Sequence, residues 1–258
     1  MQSATLFSQI DLARVAIWLF WLFFAGLVLW LQRESKREGY PLVSDRSDKV
    51  LVQGFPAMPG PKTFLLPHGG TAVVPKAPSN APYLAEPTAR FPGAPLTPIG
   101  DPMLSRAGPG AYALRHDGPD LMFDDSTPKI VPLRTLPEFS VSESDPDPRG
   151  WEVVGCDGIV AGIAVDLWLD KADMLFRFLE VEVPTEAGAR RMMLPMPLIR
   201  VDEARKLVLV KTLMAKHFAT APTLRAADTI TVTEEDMVQA YCAAGQLYAT
   251  RDRSEPLL

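Results

Sequence analysis

The chain has 258 residues, enough for one sizeable core or two modest ones. Its net charge of -5 gives no support for nucleic-acid binding. Two cysteines, Cys156 and Cys242, are too few for a disulfide framework and fit neither a CxxC nor a zinc spacing; their apolar contexts read as reduced and buried.

The first element is the apolar run Leu12 to Leu31, LARVAIWLFWLFFAGLVLWL. At about 1.5 Å rise per residue it matches the roughly 30 Å hydrocarbon thickness of a bilayer. Arg14 sits near one end, where its stem can reach the headgroups. A cleaved signal peptide would need a basic start, a shorter apolar stretch and a small-residue cleavage site. Residues 1–11 carry no Lys or Arg, so the run reads as a retained single-span anchor over 12–31. Arg33, Lys36 and Arg37 follow it, so the positive-inside rule puts residues 1–11 outside and the bulk of the chain in the cytoplasm. Trp18, Trp21, Phe20, Phe23 and Phe24 lie within the span, facing lipid or neighbouring helices.

The junction KREGYPL, residues 36–42, leaves the helix through Gly39 and Pro41. Arg33, Lys36, Arg37 and Tyr40 are expected at the membrane interface, with Lys36 and Arg37 holding anionic headgroups. Of 25 prolines, most fall between Pro41 and Pro137. That density disfavours helices and central strands, so 32–132 reads either as disorder or as extended chain lying on a surface by its scattered Phe, Leu, Tyr and Val. PHGG at 67–70 reads as a turn between extended segments, because no helix follows to favour an anion.

From about Leu133 short strands alternate with turn signals. WEVVGCDGIVAGIAVDLWLD reads as strand, Asp157-Gly158 turn and longer strand. FRFLEVEV alternates, with Phe176, Phe178, Val181 and Val183 on its apolar side; RRMMLPMPLIRVD and KLVLVKTL continue the series. These predict a small antiparallel barrel within 133–258. Thr233, followed by Glu234, Glu235 and Asp236, predicts the N-cap of a C-terminal helix.

Catalytic signals are weak. His68, His116 and His217 are far apart, and no GxSxG, GxxxxGK[ST] or helix-opening GxGxxG occurs. The acids are more informative. Asp166, Asp170, Asp173, Glu180 and Glu182 recur in one region, and Asp120, Asp124 and Asp125 cluster before it. They fit a solvated acidic face or a proton-handling surface of coupled carboxylates.

A set of ordered blocks resembles the H subunit of the purple-bacterial photosynthetic reaction centre. They are REGYPL at 37–42, PKTFLLPHGG at 61–70, GAPLTPIGDPM at 93–103, GPGAYALR at 108–115, KIVPLR at 129–134, DPRG at 147–150, DLWLD and RFLEVEV within 166–183, and EEDMVQAYCAAGQLYA at 234–249. The resemblance implies one transmembrane helix and a cytoplasmic, mainly-β domain, the small PRC-barrel with a C-terminal helix. It implies a periplasmic N-terminus in the bacterial inner photosynthetic membrane. It implies a non-enzymatic cap on the cytoplasmic face of the L and M subunits that stabilises the quinone sites and assists proton delivery to the secondary quinone. Bacteriochlorophyll, bacteriopheophytin, quinones and non-haem iron would belong to those partners, with antenna polypeptides, a cytochrome subunit and membrane lipids as further neighbours. Asp173 occupies the place of an acidic proton-path residue that relatives commonly carry as Glu. Where some relatives place histidines at a surface proton-uptake point, this chain has DDSTPK, so Asp124 and Asp125 become the candidates there, with His116 upstream as a substitute. Asp120, Asp166 and Asp170 complete the proton-transfer candidates. Two other readings stay open: a membrane-anchored cytoplasmic adaptor whose barrel binds another protein, and an enzyme with an unrecognised site.

Overall fold

The computed structural model describes residues 11–44, 47–75, 82–91 and 94–254. Its contacts divide the chain into two units, Met1–Ser79 and Asn80–Leu258.

The first unit starts with helix α1 (Leu12–Glu34), whose Asp11 cap accepts the Ala13 N–H at 3.0 Å and the Arg14 N–H at 3.3 Å. Its 23 residues span about 34 Å, and none of its side chains is buried within the chain. The helix runs three residues past the expected end at Leu31 and tightens into a 3-10 turn, Ser35–Arg37. Ser35 Oγ donates to Gln32 O at 2.9 Å and Arg37 Nε to Glu34 Oε2 at 2.8 Å, which hold that last turn. Strands β1 (Leu42–Ser44) and β2 (Ser47–Val52) pair, as do β3 (Lys62–Leu65) and β4 (Thr71–Val74). The PHGG turn caps the second hairpin, with Gly69 and Gly70 at φ +89° and +86°, where a side chain would strain the backbone. Residues 1–10, expected outside the membrane, lie outside the described residues.

Two expectations for the proline-rich stretch change. It is not one extended run: short strands pair within it, including β5 (Ala85–Pro87) with β6 (Leu96–Pro98), each of which ends on a proline. Nor does all of it await a foreign surface. Met103 is part of the second unit's core, and the tight turn Gly108–Gly110 presses on helix α3 (Val232–Tyr248), where a Cβ on Gly110 would stand 3.2 Å from Ala244 Cβ.

The second unit is built on one sheet of β7 (Ile130–Pro132), β8 (Glu152–Val154), β9 (Val160–Asp170), β10 (Leu175–Thr185), β11 (Gly188–Pro195), β12 (Ile199–Asp202) and β13 (Leu207–Val210). Strand order is β11-β10-β9-β8-β13-β12, with β7 on the remaining edge of β9. The end strands β11 and β12 follow one another in the chain through the 3-10 turn Met196–Leu198, as a sheet curling into a barrel requires. One pairing departs from an all-antiparallel reading: β8 runs parallel to β13. β7 also lies before Leu133, so the sheet begins earlier than its strand pattern suggests.

Side chains do not alternate simply along β10. Its register against β9 shifts between Phe176 and Phe178 and between Glu180 and Val181, and the run Phe178–Val181 is buried throughout because both of its faces are covered, Leu179 and Val181 by one cluster and Phe178 by another. Leu179 and Val181 join Leu167, Met192, Leu194, Val208 and Leu213 in the main core, each nearly solvent-free and each contributing roughly 1.5–3 kcal/mol by burial. Trp168, Phe178, Met193, Ile130, Ile230 and Val238 make a second cluster.

Helix α3 packs over the barrel so closely that a Cβ on Gly245 would come within 2.1 Å of Thr212 O. Its N-cap is Thr231, two residues before the expected Thr233, because Thr231 and Glu234 form a reciprocal capping box. The short helix α2 (Ala215–Phe218) is capped by His217 Nδ1, which accepts the Met214 N–H at 3.2 Å. Cys242 is buried, its thiol pushed up to about 12 by burial, whereas Cys156 is only half-buried because it sits in the β8–β9 turn.

Candidate functional site

The acids predicted as one surface divide into two networks. In the first, Asp170 ends β9 with a side chain wholly removed from solvent. The turn that follows donates to its Oδ1 from the amides of Ala172 at 3.0 Å and Asp173 at 3.1 Å. Arg177, two residues into β10, donates to Oδ2 at 3.1 Å, and Lys129, just before β7, stands 3.5 Å away. Burial works against the charge, but these donors and cations outweigh it and hold the Asp170 carboxyl below the usual range. Asp170 is therefore a fixed anion that shapes the β9–β10 turn.

Asp173, about half exposed, lies on the outside of that turn and pairs with Arg177 Nη2 at 3.3 Å. Lys129 extends the network to Asp120 at 4.0 Å. Lys171 Nζ donates to Thr127 Oγ1 at 2.6 Å, and Thr127 in turn donates to Asp125 Oδ1 from its amide at 3.0 Å and its hydroxyl at 2.8 Å. Those two bonds hold the Asp125 carboxyl down. Asp124 is exposed in the same loop.

Glu235, in the first turn of α3, was not among the predicted residues. Burial pushes its carboxyl up, and the charges of Asp236, Asp120 and Asp170 add to the rise against the opposing Arg177. Gln239 Nε2 donates to its Oε1 at 3.0 Å. Glu235 thus binds a proton more readily than an ordinary glutamate, near an Asp170 carboxyl that is held down. Its sequence signal was the acidic first turn, which reads first as helix-dipole complement.

The second network surrounds Arg134. Its Nη1 donates to Asp166 Oδ2 at 2.9 Å and Glu180 Oε2 at 2.6 Å, while Nη2 meets Asp228 at 2.7 Å. Arg191 reaches Glu180 Oε1 at 2.9 Å, and Trp168 Nε1 donates to Oε2 at 3.0 Å. Asp166 also accepts the Arg134 amide at 3.1 Å. Both carboxylates are buried and engaged on each oxygen, which gives Asp166 the bonding of a barrel fastener.

His116 stays apart from the first network. Its carbonyl accepts from Thr233 Oγ1 at 3.4 Å, beside a third group in which Arg225 joins Asp117 to the buried Glu234 at 3.0 Å. Among the described residues no group of three or more His, Cys, Asp or Glu is placed to hold a metal ion.

At the junction, Arg33 is exposed and Tyr40 half-buried. Lys36 differs from its expected role. It is 2% exposed, its ammonium donating to Gln53 O at 2.7 Å and Pro56 O at 2.6 Å and lying 5.2 Å from the Tyr40 ring. Arg37 likewise turns inward to Gly60 O at 2.7 Å. Both cations are engaged by the polypeptide, so neither offers its charge to headgroups as expected.

Comparison with known families agrees with this architecture. The description "Photosynthetic reaction centre, H-chain N-terminal region" matches residues 4–135, and "PRC-barrel domain" matches residues 141–213. The first match takes in α1, both hairpins of the first unit and the Asp120–Lys129 loop; the second takes in Asp166, Asp170, Asp173 and Glu180. An anchoring apolar helix, a barrel of this order and matches to both halves lead to one conclusion: the chain belongs to the H-chain family of the photosynthetic reaction centre.

Proposed function

We propose that this membrane-anchored subunit caps the cytoplasmic face of the L and M subunits, with its N-terminus periplasmic, and that its acidic cluster passes protons toward the secondary quinone held by those partners. It does so without catalysing a reaction itself. The observation that carries this reading is the convergence of Asp120, Asp170, Asp173 and Glu235 around Lys129 and Arg177, with one carboxyl raised and its neighbour held ionised.

The quinone supplies two-electron, two-proton chemistry; the residues of this chain supply protons and exclude water. Asp120, Asp124 and Asp125 raise the local proton concentration at the exposed loop. Glu235 holds a proton because it is partly buried among anions. Asp170 favours that proton's presence without binding it, and Asp173 takes it to the open side of the β9–β10 turn. Arg177 touches both Asp170 and Asp173, so it keeps the acceptor within reach of the donor side. Asp173 is one methylene shorter than Glu, and an added water completes the relay. Antenna polypeptides, a cytochrome subunit and lipids are the remaining neighbours in this reading, and the pigments, quinones and iron stay on the partner subunits.

The test is flash kinetics on the complex carrying Asp173→Asn. The second electron transfer to the secondary quinone should slow roughly tenfold, and more at higher pH, as expected when a step loses a proton donor. An unchanged rate between about pH 6 and pH 9 overturns the role. The double variant with Asp170→Asn also removes the fixed anion beside Asp173, and a further slowing is expected because the proton is then held less readily at that turn.

A further inference from the structure

Residues 120–129 fold back on themselves before entering β7. Lys129 N donates to Asp120 O at 2.8 Å, Leu121 bridges Pro128, and Met122 N donates to Thr127 O at 2.8 Å. Beyond that point packing does not hold the tip. Phe123, its large apolar side chain, is 81% exposed, and Asp124, Asp125 and Ser126 are exposed with it. A tip of this kind opens readily unless polar contacts fix it.

Two lysines cross between this loop and the β9–β10 turn in opposite directions. Lys129 leaves the base of the loop and stands 3.5 Å from Asp170 at the end of β9. Lys171 leaves the turn: its amide donates to Lys129 O at 3.0 Å, and its Nζ reaches Thr127 Oγ1 at 2.6 Å. Thr127 Oγ1 is the joint of this second crossing. It accepts from the ammonium and gives its single hydrogen to Asp125 Oδ1 at 2.8 Å, so a charge strengthens the bond on each side. The Thr127 amide donates to the same Asp125 oxygen at 3.0 Å, which closes the tip around the joint.

We infer that Lys171 is a positioning residue: through Thr127 it latches the loop tip to the β9–β10 turn and keeps Asp124 and Asp125 close to the turn that carries Asp173. The inference rests on the proton-delivery reading and adds the cation that holds the collecting loop to the receiving turn.

Electrostatics alone predicts the opposite result, which makes the latch testable by sign. Lys171 is a positive charge in a region that carries Asp120, Asp124, Asp125 and Asp173. Deleting it makes the surface more negative, and a more negative surface draws protons faster. Deleting a latch slows delivery, because the collecting carboxylates are no longer held beside the turn.

The test combines flash kinetics of the second electron transfer with hydrogen exchange of the 122–127 amides, both on the intact complex. Lys171→Met and the charge-neutral Thr127→Val should each slow the transfer several-fold and speed exchange at the tip. Lys171→Arg and Thr127→Ser keep the donor and the hydroxyl, and should restore both readouts. A rate in Lys171→Met equal to or above that of the wild type overturns the positioning role. Unchanged exchange in both Lys171→Met and Thr127→Val overturns the latch itself. Asp173→Asn, measured alongside, keeps the two failures apart. If it slows the transfer while Lys171→Met does not, the delivery reading stands and the positioning role falls. If Asp173→Asn leaves the rate unchanged, the delivery reading fails and exchange decides the latch.

Discussion

Arg134 and Glu180 meet at 2.6 Å across the barrel wall, and Trp168 donates to the same carboxylate oxygen from within the core. The pair joins the start of the sheet to its middle: Arg134 follows β7, and Glu180 lies in the bulged part of β10. Removing the cation leaves Asp166 and Glu180 buried without their shared partner. Arg134→Met should therefore destabilise the protein by about 3–5 kcal/mol. Thermal unfolding of the detergent-solubilised protein, followed by near-UV circular dichroism, checks this. Adding Asp166→Asn and Glu180→Gln should return part of the loss, because the stranded charges are then gone.

Asp170 separates charge from shape. Asn at this position still accepts the two turn amides through its Oδ1 but no longer balances Lys129 and Arg177. Asp170→Asn should cost less than Asp170→Ala, which loses both. The folded carboxyl lies below its ordinary value of 3.8, so its stabilisation is complete above that value and is lost as pH falls through the depressed folded value. Wild type should thus show a steeper loss of stability below about pH 4 than Asp170→Asn in acid-unfolding curves.

Glu235 carries the opposite sign. Its folded carboxyl lies above the ordinary 4.5, so the folded state binds the proton more tightly and stability falls as pH rises from that value through the raised one. Glu235→Gln should be more stable than wild type at neutral pH, and the difference should vanish below about pH 4. The same variant should slow proton delivery in flash kinetics, which separates a proton carrier from a purely structural residue.

Gly245 marks the tightest approach of α3 to the barrel. Gly245→Ala must displace the Thr212 backbone or the helix, and a loss of about 2–3 kcal/mol is expected despite alanine's better helix propensity. Comparison with Gly26→Ala, where a Cβ meets nothing within 4 Å, controls for propensity alone.

The strands were legible because apolar runs of three to eleven residues are bounded by Asp157-Gly158, Gly188 and Glu203. The bulges in β10 were not legible, since a register shift leaves no mark in a string of Leu, Glu and Val. The helix start was misplaced by two residues because Thr231 and Thr233 are both followed by acids; the capping-box spacing from Thr231 to Glu234 was the better guide. Asp170 and Asp173 could be nominated, but not their cations. Lys129 is 41 positions from Asp170 in sequence and meets it only through the β7–β9 pairing. Lys36 looked like a surface charge because composition does not say which way a lysine turns.

The parallel pairing of β8 with β13 sets an order of events. Val153 finds its neighbour Val208 only after the whole of β9 to β12 has been made, so β8 keeps an open edge until late in synthesis. A chain truncated before Leu207 would keep the apolar helix yet leave β8 without its parallel neighbour.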